Sequence, residues 1–387
     1  MTAVVLAVNA GSSSLKFGLY PDEGPAAWSG AFEGLEPGGA ARWREGRADW
    51  QALQVDGGTS PFDAALALLL RALAKRPVRL AAVSHRIVHG GESCTAPRWL
   101  DDDTLATLHR LSPLAPLHQP HNLAGVAAFA RALPDVPHVG CFDTAFHSTL
   151  PPTERALPLP PAITDTGVRR YGFHGLSYDY LVQELRGQSR RAEGRMLLAH
   201  LGNGASLCAT LGGCSIASTM GFSALDGLMM GTRSGSIDPG VLLHLWRQGW
   251  DLPGVERLLY QESGLKGVSG LSADMRSLRA SADPAAQRAI ALFTHRVKRE
   301  AGALLALLGG MDVLAFTGGI GEHDATLRSD VAGAFAFAGA QLDAQANEAA
   351  QGDRVVPVHA AHSNVEIWVV PTDEGRVAAR AAFKLLT

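Results

Sequence analysis

Residues 5–19 read VLAVNAGSSSLKFGL, and residues 197–211 read LLAHLGNGASLCATL. Each is an apolar run, a glycine-rich polar turn and a second apolar run, which is a hairpin signature. The two stretches align without gaps at a separation of 192 residues, setting Ser14 on Ser206, Leu15 on Leu207 and Leu19 on Leu211. That spacing is close to half of a 387-residue chain, so it predicts a duplication in which each half is built around one strand–turn–strand.

Length alone suggests two or three domains. Hydrophobic residues make up 47% and charged residues 18%, enough apolar material for a large core and too little net charge for a disordered chain. The formal charge of −3 lacks the basic excess of a dedicated nucleic-acid binder. Cys94, Cys141, Cys208 and Cys214 form no CxxC pair, so neither a zinc site nor a disulfide framework is expected. The start MTAVVLAVNAGSSS has no basic segment before its apolar run. The expectation is a soluble cytoplasmic protein that neither spans a membrane nor binds nucleic acid.

Outward from the hairpins, the pattern predicts a helix over Pro61–Lys75 capped by Ser60, a strand over Leu80–Val88, a loop over Leu111–Asn122 and a strand over His138–Thr144. Five prolines in 151–161 suggest a domain boundary. A strand over Asp312–Phe316, a glycine bend over Thr317–Glu322 and a helix over Ala325–Phe337 form a third glycine-rich turn. Backbone N–H groups at such turns, with a helix dipole behind them, favour phosphate. The chain has no GxxxxGK[ST], clean GxGxxG, GxSxG or HRD loop, which disfavours a P-loop enzyme, a Rossmann dehydrogenase, a serine hydrolase and a protein kinase.

Several polar residues stand where ligands bind. Asn9, Ser12, Ser13, Ser14 and Lys16 share the first hairpin, and the turn fits either a solvated bend or a phosphoryl site. Arg86 lies within an apolar strand, on the face predicted also for Val88; it needs an anion or a carboxylate partner. Asp143 closes a strand, His174 sits between glycines in YGFHG, and Arg233 centres the loop MGTRSGSIDPG. Asp373 and Glu374 precede the last helix, where they either cap it or hold Mg2+.

Ten blocks carry a family resemblance in order along the chain: VNAGSSSLKF, SHRIVHGGE, LAPLHQPHN, FDTAFH, YGFHG, AHLGNGAS, GLMMGTRSGSIDPG, VSGLSADMR, FTGGIGE and PTDE. The sequence resembles the acetate kinase (acetokinase) family. The resemblance implies an α/β, duplicated actin-like (ribonuclease H-like) ATPase fold with two domains around a central cleft. One would span 1–150, completed by the C-terminal helix at about 375–387, and the other 151–374. It implies reversible, Mg2+-dependent phosphoryl transfer between ATP and acetate, giving acetyl phosphate and ADP. Propionate or butyrate is the alternative acceptor, Mn2+ the alternative ion and a homodimer the expected assembly.

The resemblance also implies roles. Asp143, His174, Arg233 and Arg86 would be catalytic, with Arg86, Val88, Leu117, Phe173 and Ala224 at the acyl substrate. Ser14, Lys16, His200, Leu201, Gly202, Asn203, Gly204, Asp274, Met275, Arg276, Gly319, Ile320, Gly321, Glu322 and His323 would bind ATP, and Asn9 and Glu374 the metal. A carboxylate nucleophile is already ionised at neutral pH. Asp143 is therefore expected to orient Arg233 or metal-bound water rather than remove a proton. Three departures stand out: Ala224 replaces a common proline, His323 an asparagine, and Leu176 and Tyr178 a threonine and a histidine. They imply a roomier acyl pocket and altered contacts at the nucleotide edge.

Overall fold

The computed structural model describes residues 2–55, 58–116 and 118–387. It divides into two compact units, Met1–Phe146 with Asp373–Thr387, and His147–Thr372. The proline-rich 151–161 lies within the second and forms two short helices, Pro152–Arg155 and Pro161–Thr164.

The first unit holds strands β1 (Thr2–Ala10), β2 (Ser14–Tyr20), β3 (Trp28–Glu33), β4 (Arg42–Glu45), β5 (Gln51–Ala52), β6 (Val78–Ile87), β7 (Arg98–Trp99) and β8 (His138–Phe142). They form one sheet in the order β5-β4-β3-β2-β1-β6-β8-β7. The second holds β9 (Arg195–Leu201), β10 (Ala205–Leu211), β11 (Cys214–Ser218), β12 (Val313–Thr317), β13 (Val356–Pro357) and β14 (Glu366–Val369), in the order β11-β10-β9-β12-β14-β13. In both, an antiparallel three-stranded meander is followed by two strands parallel to its first: β6 and β8 beside β1, β12 and β14 beside β9. The duplication is thus written in the topology as well as in the hairpin sequences.

The hairpins differ from the gapless match in one respect. The first closes on the pair Ala10↔Leu15 and the second on Leu201↔Ala205, so the first turn is one residue longer. Counting from the closing pairs, Asn9 corresponds to His200 and Lys16 to Ser206, whereas the gapless match sets Lys16 on Cys208.

The helix Pro61–Ala74 forms as expected. Ser60 accepts a hydrogen bond from the Asp63 N–H at 3.0 Å, Pro61 occupies the first helical position, and Leu66, Leu69 and Leu73 turn inward. They join Leu6, Val8, Leu15, Phe17 and Phe129 in the core of the first unit. The C-terminal helix Glu374–Leu386 packs on β1 and β6, with Ser84 Oγ donating to the Ala378 carbonyl at 2.8 Å. In the second unit the helix Pro284–Leu308 buries Ile290, Phe293, Val297, Ala301 and Leu304, a 3.6-residue stripe that packs on β10.

Two segments depart from the sequence reading. The stretch expected as a loop to Asn122 becomes helical at Gln119, with Pro120 tolerated in the first turn, and runs to Ala132. The glycine bend at Thr317–Glu322 is itself a helix, Gly318–His323, followed by a helix Ala325–Gly333 that ends short of Phe337. Gly318 makes that immediate strand-to-helix turn possible. Its φ is +75°, and a Cβ there would fall 2.7 Å from the Leu201 carbonyl oxygen.

Candidate active site

In the first unit the site grows from the ends of β6 and β8. Arg86, next to the last residue of β6, is the hub. Its Nε and Nη2 donate to the two oxygens of Asp143 at 3.0 and 2.5 Å, and its Nε lies 3.4 Å from Glu374 Oε2. Burial works against the charge, but Asp143 and Glu374 outweigh it and raise the Arg86 pKa. The carboxylate partner that the strand arginine required is therefore Asp143. Asp143 thus engages Arg86 through both of its oxygens. Asp143 is itself buried, its N–H bonded to the Ile87 carbonyl at 3.0 Å.

β6 ends at Ile87, so strand alternation does not carry on to Val88. Val88 is instead fixed by its N–H donating to Asn122 Oδ1 at 2.9 Å, while Asn122 Nδ2 donates to the Ala10 carbonyl at 2.7 Å. Gln119 brackets His89 likewise, through the His89 N–H at 3.2 Å and carbonyl at 2.9 Å. Asn122 ties the end of β6 to β1 and Gln119 ties His89 to the Leu108 carbonyl; both were missed as site-forming residues. The signal was present: an Asn and a Gln three apart, on what proves to be one helix. Leu117, expected at the acyl substrate, lies outside the described residues.

Asn9 follows Val8, whose partner on β6 is His85, the residue before Arg86. Ser14 begins β2 close to the turn, and Lys16 is exposed two residues on. Asp373 caps the last helix through the Arg376 N–H at 3.0 Å and accepts from the Tyr20 hydroxyl at 2.7 Å. Capping therefore falls to Asp373, leaving Glu374 turned to Arg86.

In the second unit His174 stands at the N-cap of the helix Gly175–Gln188 with φ 59°, the single described non-glycine residue at positive φ. Its Nδ1 meets Ser206 Oγ at 2.8 Å, and Ser206 Oγ meets the Tyr178 hydroxyl at 2.5 Å. Tyr178 is fully buried one turn along the same helix. The departure from histidine at this position thus bears on how His174 is held. The His174 ring stacks on His200 at 4.2 Å, and His200 Nδ1 meets Ser177 Oγ at 2.8 Å. Gly172, at φ 77°, has no room for a side chain: a Cβ would fall 2.5 Å from His147 Cγ.

The turn Gly202–Gly204 joins these groups. A Cβ on Gly204 would stand 3.3 Å from His174 Nε2 and 4.0 Å from Arg233 Nη1, and one on Gly202 would stand 3.8 Å from the Gly319 nitrogen. The imidazole, the guanidinium and two glycine-rich segments thus converge. Arg233 Nη1 donates to the Ala224 carbonyl at 2.8 Å, so position 224 serves Arg233 through its backbone whatever its side chain. Asn203 is exposed, and its carbonyl accepts from the Gly231 N–H at 3.0 Å, linking the turn to the Arg233 loop. Phe173, buried beside His174, holds His147 Nε2 through its carbonyl at 2.9 Å.

The first-turn N–H groups of a helix have no backbone partner within it and suit an anion or a carboxylate. Glu322 is committed elsewhere, its Oε1 accepting from the N–H groups of Gly318 at 2.9 Å and Thr372 at 3.2 Å. Arg328, fully buried, donates to the carbonyls of Gly321 and Glu322 at 3.0 and 2.8 Å and to Asn347 Oδ1 at 2.7 Å. It pins the glycine helix from behind and was not anticipated. Asp274 caps the short helix Met275–Arg279, in which Met275 is buried and Arg276 exposed. Arg279 Nε meets Asp324 Oδ2 at 3.0 Å and couples this helix to the residue after His323.

Two sheets that share a five-strand core order, each with a glycine-containing turn in its first hairpin, define an actin-like ATPase fold of the phosphotransferase kind. The sequence matches the Acetokinase family over residues 4–380. An acetate kinase of Rhodopseudomonas palustris is 45% identical, covering 100% of this chain and 99% of that protein. The crystal structure of Porphyromonas gingivalis acetate kinase superposes with a TM-score of 0.88 at 35% identity, covering 100% of both chains. A propionate kinase from Francisella tularensis also gives 0.88, at 30% identity and 98% coverage of each. The chain belongs to the acetokinase family.

Proposed function

We propose that this chain is a kinase that moves the γ-phosphoryl group of ATP to acetate, reversibly, giving acetyl phosphate and ADP. The observation that carries the reading is the convergence of His174 Nε2 and Arg233 Nη1 on the Gly202–Gly204 turn, beside the Gly319 nitrogen. An imidazole and a fork of N–H donors at a phosphate-binding turn suit charge developing on a transferring phosphoryl group. Full-length likeness to an acetate kinase at 45% identity, against 30% for a propionate kinase, favours acetate over propionate or butyrate.

In this reading the acetate oxygen attacks phosphorus while the bond to the bridging oxygen of ADP breaks, and the charge passes to ADP. No proton is removed, because the acid is ionised. Arg86 holds the carboxylate and Asp143 keeps that guanidinium flat and aimed. Val88, Leu117, Phe173 and Ala224 border the methyl group. Ser14, Lys16, His200, Leu201, Asn203, Asp274, Met275, Arg276, Ile320, Gly321 and His323 contact ATP beside the glycines, whereas Glu322 acts through the backbone of Gly318 and Thr372.

The donor set suits magnesium. Asn9 and Glu374 offer hard oxygen atoms, the ligand type that Mg2+ takes. Few protein ligands, completed by water and substrate phosphates, are the pattern of Mg2+, with Mn2+ able to replace it. The ion would supply charge neutralisation on the phosphates.

A homodimer is part of the same reading. The helix Pro239–Arg247 has no buried residue, and with the following turn it exposes Val241, Leu243, Trp246, Trp250 and Leu252, a face that a second copy would cover. A cytoplasmic location is part of the same reading and rests on the use of ATP; among the described residues no helix is long and apolar enough to cross a membrane.

Arg233→Ala tests the assignment in steady-state assays with saturating Mg-ATP. The expected result is a fall in kcat of roughly 10²–10³-fold with a smaller change in the KM for acetate. An unchanged kcat removes Arg233 from the reaction.

A further inference from the structure

Away from the residues assigned above, the helix Pro284–Leu308 forms one wall of a pocket of about 370 Å³ with Arg279 and Asp330. That volume is in the range of small-molecule sites. Its lining contains two permanent cations, Arg279 and Lys298, the imidazole of His295 and a single carboxylate, Asp330, while Ile290 supplies a buried apolar floor.

Two polar atoms of the lining residues are unsatisfied. Arg279 Nη2 and Thr294 Oγ1 are both buried without a hydrogen-bond partner, although Arg279 Nε is engaged by Asp324 at 3.0 Å. Thr294 is only 6% exposed. An orphaned buried donor is costly and uncommon, and two on one pocket call for a partner that supplies oxygen atoms. With Arg279 Nε paired to Asp324, it is the unpartnered Nη2 of Arg279 together with Lys298 that suits the oxygens of an anion, and the Ile290 floor calls for a carbon body.

We propose that this pocket is a second ligand site, taking a small organic oxyanion, either a phosphate ester or a dicarboxylate. A modest rotation of the Arg279 guanidinium and the Thr294 side chain presents the orphaned atoms to its oxygens. The same rotation loads the Arg279–Asp324 contact. Asp324 also caps the helix Ala325–Gly333 through the Leu327 N–H at 2.9 Å and directly follows His323. Occupancy is therefore coupled to nucleotide affinity, a part of the inference that rests on the reading of Gly319–His323 as an ATP segment; the binding part does not depend on it.

The test is calorimetric titration of the full chain with glucose 6-phosphate, succinate and inorganic phosphate, each with and without saturating ADP. Hydrogen exchange is followed over residues 287–298. The expected result is one equivalent of glucose 6-phosphate or succinate bound in the presence of ADP, with exchange slowed in that segment and ADP affinity shifted at least threefold. Lys298→Glu is expected to weaken this binding at least tenfold and to leave ADP affinity without the probe unchanged. Binding of glucose 6-phosphate alone makes the ligand a phosphate ester, and binding of succinate alone a dicarboxylate. The proposal is overturned if neither organic probe binds, if ADP displaces the probe, if inorganic phosphate binds as tightly as either, or if Lys298→Glu has no effect. Slowed exchange with unshifted ADP affinity overturns the coupling alone. A chain that binds no ADP contradicts the nucleotide reading instead, and the titrations without ADP still decide the pocket.

Discussion

At Arg86 two carboxylates meet one guanidinium, and the geometry of one contact decides its chemistry. Asp143 engages both Nε and Nη2, a fork that lysine cannot reproduce. Asp143→Asn keeps the shape but weakens the charge-assisted pair, leaving Arg86 freer to swing towards Glu374. The expected outcome is a fall in kcat/KM for acetate of about 10-fold or more, from loss of roughly 1.5–3 kcal/mol, with kcat/KM recovered by no amount of added Mg2+. His147 offers a prediction of a different kind. Burial lowers its pKa from 6.5 to about 4, and it bonds Ser215 Oγ at 2.8 Å and the Phe173 carbonyl at 2.9 Å. The native state resists the proton that the unfolded chain accepts near its ordinary value. Stability is therefore intact above that value and falls as the pH drops towards about 4. At roughly 1.4 kcal/mol per pH unit, this group contributes about 3 kcal/mol to acid destabilisation. His147→Gln is expected to flatten the pH dependence of urea unfolding across that window; an unchanged slope contradicts the assignment.

Between residue and fold, the helix Gly318–His323 shows what the sequence conceals. The glycines of FTGGIGE read naturally as a bend, and the phosphate-binding purpose assigned to them did not require a helix. Glycine permits the sharp turn from β12, but permission is not helix propensity. What holds the segment helical is side-chain bracing: locally the Glu322 carboxylate on the Gly318 N–H, and from the next helix Arg328 on the last carbonyls. A buried arginine ten residues beyond the turn carries no local signal. The helix at Gln119 was hidden for the opposite reason, since three prolines masked a start that tolerates one of them. Single polar positions were more legible, because Arg86 in an apolar strand and His174 between glycines break the pattern around them. Arg328→Met leaves the carbonyls of Gly321 and Glu322 without their donor. It is expected to raise the KM for ATP at least tenfold and to destabilise the protein by about 3 kcal/mol or more, the range for a broken buried charge network. A KM for ATP within twofold of the parent would show that the helix holds its place unaided.

For the whole molecule, the hairpin repeat was readable and its register was not. An apolar–glycine–apolar pattern recurs at 192 residues, but a turn one residue longer changes which positions correspond, and only the pairing reveals it. The repeated strand order is long-range information that no local pattern contains. The exposed apolar face around Trp246 belongs to this scale too. Trp246→Glu is expected to shift the molecule from dimer to monomer by light scattering while leaving its melting temperature nearly unchanged, since the residue is 46% exposed; a parent chain that is monomeric at every concentration contradicts the assembly. The activity itself has the most direct test. Purified chain mixed with ATP, Mg2+ and acetate in hydroxylamine should accumulate acetohydroxamate, the trapped form of acetyl phosphate, with a higher kcat/KM than for propionate or butyrate. Absence of hydroxamate from all three acids would contradict the account.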